Sequence, residues 1–215
     1  MLARLLSLCC ITLLCSCSTS MQAIVDVTNL FRHASDRQIE NIQLDSEYRY
    51  LRVSIRGRAT LLILGYIDND PLGPVETWYS GGGKETVRLQ NGRFVGGTGL
   101  PVEWVSVGLS AQPEWSTVKQ AVQISRRRDV MPGYEYGLTD TLTVTPIAAP
   151  RSTNFSGKAG DSVLQWFEES SSGKAALPAS RYAVQIIGGE SKVIYGEQCL
   201  NQSLCISWQR WPANS

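Results

Sequence analysis

The chain has a single histidine, His33, among 215 residues. A Ser-His-Asp relay would have to be built on it, and no pattern sets a nucleophile beside it. His33 falls instead on a predicted helix, where a surface or capping role is expected. Paired carboxylates are the other route to acid–base chemistry, and glycosidic cleavage wants two of them in one cleft, ~5 to ~9 Å apart. Glu168 and Glu169 are neighbours in a predicted strand, so they point to opposite faces. Asp68 and Asp70 fall in a predicted turn, and no catalytic pair is indicated. Gly81-Gly-Gly-Lys84 lacks the Gly-Lys-Ser/Thr ending of a phosphate loop and lies between strands, so it reads as a hairpin tip. Two groups remain as candidate contacts for a glycan or a partner protein. Most of the six tryptophans are expected in the core, where aromatic rings bury large areas. Trp115 and Trp211, each beside a proline or loop, are the ones expected to be exposed and able to stack on sugar rings. Arg126, Arg127 and Arg128 form a basic cluster whose guanidinium groups suit an acidic polysaccharide or a phosphate, although such clusters are commonly just solvated.

The cysteines carry the firmest chemistry. The N-terminus has one positive charge at Arg4, an apolar run from Leu5 to Leu14, and then Cys15-Ser-Cys17. The run suits a signal peptide and is too short to cross a bilayer, which needs ~20 residues. Leu14-Cys-Ser-Cys17 resembles the lipobox of bacterial lipoproteins, with a branched apolar residue three positions before the modified cysteine and a small one directly before it. By that resemblance residues 1–16 are a signal peptide, and Cys17 carries a diacylglyceryl thioether and an amide-linked acyl chain. Several chains are needed because one binds membranes only marginally, at ~0.8 kcal/mol per buried methylene. Ser18, where inner-membrane lipoproteins carry aspartate, points to the outer membrane. Cys9, Cys10 and Cys15 leave with the signal, so Cys199 and Cys205 remain as an even pair in an oxidising compartment and are expected to form a disulfide. With no histidine nearby they make half a zinc site at best, and neither metal nor cofactor is expected.

The elements that must hold these residues are strands. The full chain has 20 basic and 19 acidic side chains, and residues 1–16 take only Arg4 with them. That balance argues against a nucleic-acid partner and gives no polybasic membrane contact. Ile24, Val27, Leu30 and Phe31 are spaced as on a short amphipathic helix over 20–34. Beyond it the period becomes two: Leu51, Val53 and Ile55 alternate with Tyr50, Arg52 and Ser54. Leu61 to Ile67 is almost wholly apolar, as in a strand buried on both faces. Asn91-Gly92 between strands is a strong hairpin signal. Further alternation near 104–109, 118–125 and 138–144, and strands near 162–168, 182–187, 192–195 and 204–209, bring the total to about a dozen. Residues 148–160 read as a long loop. The expected fold is all-β, an antiparallel meander forming a sandwich or barrel behind a short N-terminal helix, with residues 17–215 as a single domain.

Leu62-Ile-Leu-Gly65, Glu76-Thr-Trp-Tyr-Ser80, Val87-Arg-Leu-Gln-Asn-Gly-Arg93 and Thr98-Gly-Leu-Pro101 are distinctive as a series. Together with the lipobox they resemble the YjbF/GfcB family of outer-membrane lipoproteins of group 4 capsule and exopolysaccharide production. The resemblance covers most of residues 17–145 and thins toward the C-terminus. It implies a non-catalytic lipoprotein at the periplasmic side of the outer membrane, assisting assembly or secretion of a surface polysaccharide. An outer-membrane β-barrel and a small periplasmic protein would be its partners. Two other readings stay open: a lipid-anchored polysaccharide hydrolase or lyase, and a general envelope-assembly scaffold.

Overall fold

Antiparallel strands joined by short turns pair with their neighbours in sequence, and among the described residues that rule holds for all but one pair of consecutive strands. In the computed structural model, described for residues 39–156 and 164–212, the strands are β1 (Tyr50–Ile55), β2 (Arg58–Asp68), β3 (Val75–Ser80), β4 (Thr86–Gln90), β5 (Arg93–Thr98), β6 (Glu103–Leu109), β7 (Val122–Met131), β8 (Glu135–Ile147), β9 (Leu164–Ser172), β10 (Ser180–Ile187), β11 (Glu190–Cys199) and β12 (Cys205–Trp211). Residues 1–16, Cys17, the predicted helix over 20–34 and His33 lie outside the described residues. The twelve strands form one antiparallel sheet in the order β5-β4-β3-β2-β1-β12-β11-β10-β9-β8-β7-β6. Every neighbour is sequential except one: β1 pairs with β12, from Tyr50 opposite Trp211 to Ile55 opposite Ile206. The expected meander is thus a barrel, nearly closed, with β5 and β6 as its two edges. Those edges lie against each other, since a Cβ on Gly96 of β5 would sit 3.2 Å from the Trp104 carbonyl oxygen of β6.

The two faces of each strand divide the apolar residues. Leu51 and Val53 of β1, Leu62 of β2, Trp78 of β3, Phe94 of β5, Trp104 of β6, Phe167 of β9, Tyr182 of β10 and Trp208 of β12 belong to one large interior cluster. On the outer face Tyr50, Leu61 and Trp211 form a second cluster, covered by Ile39, Ile42 and Leu44. A third outer cluster, Trp166, Ala183 and Tyr195, lies under Phe155 of the 148–156 connection, whose Asn154 N–H donates to the Tyr195 hydroxyl at 3.1 Å. The strand read as buried on both faces is so only in its first half. Leu61 and Leu62 are buried on opposite faces, whereas Tyr66 and Ile67 are exposed past the bulge between Leu64 and Tyr66.

Loops at both ends turn inward and fill the barrel. Asn91 and Gly92 have φ of 51° and 77°, as a type I′ turn demands. A Cβ on Gly92 would overlap the Val193 side chain, so only glycine lets this hairpin approach β11. A 3-10 turn at Trp115–Thr117, in the β6–β7 connection, drives Trp115 into the same end, where its indole N–H donates to the Asn91 carbonyl at 3.0 Å. At the other end the Trp104 indole donates to the Leu200 carbonyl at 2.9 Å, inside the β11–β12 turn. Cys199 and Cys205 close that turn as a disulfide. Replacing both with serine removes a short-loop crosslink of roughly 2 kcal/mol in the chain-entropy model. We expect the urea midpoint of the double variant to fall accordingly, and an unchanged midpoint would show that the bond adds nothing to stability.

Candidate functional site

Placing the predicted contact residues corrects most of them. Trp115 and Trp211, expected to be exposed, are both buried. Trp115 is not on a strand, so no alternation could orient it. It packs 5.0 Å, ring centre to ring centre, from both Phe167 and Tyr182. Trp211 ends β12 on the outer face but lies beneath the segment around Ile39 and Leu44. The arginine cluster splits by strand period. Arg126 and Arg128 point inward from β7 and are buried, while Arg127 points outward and is 66 % exposed.

The interior arginines are held by carboxylates and rings. Arg126 makes a forked contact to Asp140 of β8 at 3.1 and 2.5 Å, and Arg128 reaches the same carboxylate at 2.9 Å. Both guanidinium groups lie over Trp104, at 5.0 and 5.4 Å from its ring centre. Burial first, and then the charge of Arg126, lower the Arg128 pKa. Across the barrel, Arg93 of β5 bonds Glu169 of β9 at 2.5 Å and lies 4.0 Å from the Trp115 ring centre. The Tyr182 hydroxyl donates to Glu169 at 3.2 Å. Glu168, on the outer face as its neighbour's position requires, pairs with Arg181 at 3.3 Å. Desolvated pairs of this kind give modest net stability, but removing one partner leaves a buried charge with neither partner nor water. Their arrangement serves architecture: they link strands across the interior and leave it filled.

A recess of about 410 Å³ opens where β1 begins and β12 ends. That volume lies within the range of small-molecule sites, ~300 to ~1,000 Å³. Tyr48, Tyr50, Trp78 and Trp211 line it with aromatic surface, and Arg49, Lys192 and Arg210 line it with positive charge. Asp45 is the one acidic residue in the lining, and its carboxylate accepts the Glu47 backbone N–H at 2.9 Å. Arg210 is fixed by Glu76 of β3 at 2.9 and 3.0 Å and by the Val193 carbonyl at 3.0 Å. Lys192 and Arg49 form no ion pair among the described residues. Burial, and next the guanidinium of Arg210, lower the Lys192 pKa, with Arg49 acting in the same sense. The sequence offered no signal for this group: Arg49, Lys192 and Arg210 are far apart in the chain and meet only because β1, β11 and β12 are adjacent. Trp211, expected to stand exposed, enters the recess as a wall instead.

The described residues define a nearly closed, twelve-stranded antiparallel barrel with a filled interior and a cationic, aromatic recess at one end. This fold is shared with a solved protein. The crystal structure of the hypothetical lipoprotein YmcC from Escherichia coli (K12) matches with a TM-score of 0.62 over 90 % of this chain and 96 % of that one, at 17 % identity. No family model matches the chain, and no curated protein matches it in sequence.

The buried groups lead to two expected outcomes. Arg93→Ala strands the Glu169 carboxylate and should lower unfolding free energy by about 3–5 kcal/mol. Arg127→Ala should change it by less than about 0.5 kcal/mol, and equal losses in urea titrations would contradict the assignment of faces. Burial, reinforced by Glu169 at Tyr182 and by Glu197 at Tyr195, raises both phenol pKa values above the unfolded value of about 10. The folded state therefore holds these protons more tightly. This stability is fully present below about pH 10 and is lost as pH rises through the folded values. The urea midpoint should fall above that pH, and less steeply in Tyr182→Phe and Tyr195→Phe.

Proposed function

We propose that this chain is a lipid-anchored outer-membrane protein that faces the periplasm and assists assembly or secretion of a capsular or exopolysaccharide, without catalysis, by holding a partner protein or the nascent glycan. The observation that carries the reading is the conjunction of two independent features. The N-terminus has the lipobox-like Leu14-Cys-Ser-Cys17, and the YjbF/GfcB-like motifs run from β2 to the turn after β5 of a fold also found in a hypothetical lipoprotein. Those motif residues have structural work in the barrel. Trp78 fills the interior, Glu76 fixes Arg210, and Asn91-Gly92 makes the turn against β11.

Holding rather than cleaving is supported by the state of the carboxylates. Glu169 and Asp140 are buried and tied to arginines, and Glu168 pairs with Arg181 on the far face. A general acid needs a substrate within hydrogen-bond reach, and Glu169 and Asp140 are enclosed in the interior. A partner outer-membrane barrel and a periplasmic protein of the secretion system complete the reading.

The test is extracellular polysaccharide from a deletion strain complemented with wild type or with Cys17→Ser. We expect polymer to fall on deletion and to return with the wild type only. Unchanged polymer under producing conditions would remove the pathway assignment, and full rescue by Cys17→Ser would remove the need for the anchor.

A further inference from the structure

Beyond a general role in holding glycan, the recess between the start of β1 and the end of β12 has a specific chemistry. Its lining carries three cations against one carboxylate, and two of the cations, Arg49 and Lys192, have no ion-pair partner among the described residues. Glu76 neutralises Arg210 from behind, so the surplus positive charge belongs to the open side. Gathering like charges in one place is unfavourable when the nearby anions, Asp45 and Glu76, do not match them in number. Burial and then Arg210 lower the Lys192 pKa, Glu76 opposes them, and Arg49 adds to the lowering.

Aromatic surface accompanies the charge. Tyr48 is exposed and meets Tyr50 edge-on with ring centres 6.5 Å apart, so one tyrosine face of the recess is open. Trp211 forms another wall. Trp78 lines the recess too, and its indole N–H is buried with no hydrogen-bond partner. Cations alone would suit any phosphate, and aromatic rings alone would suit a neutral sugar. The combination suits a sugar ring that carries a carboxylate, with the ring on tyrosine or tryptophan and the carboxylate toward lysine and arginine.

We propose that this recess binds a carboxylate-bearing sugar unit of a polysaccharide, with Lys192 and Arg49 meeting the carboxylate and Tyr48 stacking on the ring. The proposal rests on the glycan-holding form of the function given above.

The experiment titrates the full chain in detergent with tetragalacturonate and follows tryptophan fluorescence, with neutral maltotetraose and inorganic phosphate as comparison probes. Tetragalacturonate should bind at least about tenfold more tightly than either probe, and more weakly as salt rises. Lys192→Gln and Tyr48→Ala, both at exposed side chains and so compatible with folding, should each weaken it by about fivefold or more. Equal binding of maltotetraose, displacement by equimolar phosphate, or undiminished affinity in both variants would overturn the proposal, as would absence of binding. Absence of binding alongside a polysaccharide defect in the deletion strain would remove this site and leave the accessory role. Tight, Lys192-dependent binding alongside normal polymer would keep the site and remove the role.

Discussion

The pairing of β1 with β12 is the constraint on which the rest of the structure depends. Every other strand pairing is between neighbours in sequence and would exist in two separate ribbons, β1–β5 and β6–β12. Joining the two terminal strands unites β1–β5 and β6–β12 into one sheet, whose edges are β5 and β6 from the middle of the chain. An open sheet leaves two long rows of unpaired backbone groups, a standing risk of association with other chains. Here the two edges lie side by side, with Gly96 small enough for close approach to Trp104. The same pairing creates the outer apolar cluster at Tyr50 and Trp211, and brings Arg49, just before β1, and Lys192 of β11 to the recess.

Closing so many strands encloses more volume than aliphatic side chains fill readily, and larger barrels tend toward cavities. This one is filled from both ends. Trp115 and the 91–92 turn enter at one, Trp104 and Leu200 meet at the other, and arginine guanidinium groups lie over these indoles. Arginine suits the task because its planar cation stacks on aromatic faces and still forks to a carboxylate. The interior is therefore a structural core with charges in it. At the rim, by contrast, the recess mixes aromatic walls with exposed Arg49 and Lys192.

Much of the fold could be read from local patterns. Alternation located most strands to within a few residues, although β7 runs to Met131, well past the expected 118–125; Asn91-Gly92 marked its hairpin, and the antiparallel meander followed from hairpin spacing. Such features depend on side-chain periodicity and turn geometry, which are properties of a few consecutive residues. Even the split of the arginine triplet was implicit, since Arg126 and Arg128 share a face that Arg127 cannot. What the triplet could not reveal was which face is inside, because Asp140 and Trp104, the partners that make burial tolerable, lie on other strands.

The sequence by itself determined the strand content, the hairpin order, the Cys199–Cys205 pair as the expected crosslink, and the alternating faces. Only the tertiary structure decided that the ribbon closes through β1 and β12, that Trp115 and Trp211 are covered, and that Arg49, Lys192 and Arg210 stand together. The physical reason is separation along the chain. Burial of a loop tryptophan, or the meeting of cations from β11, from β12 and from the residue before β1, depends on contacts between residues far apart in sequence. Such contacts exist only once closure of the sheet has met the entropy cost of bringing distant segments together.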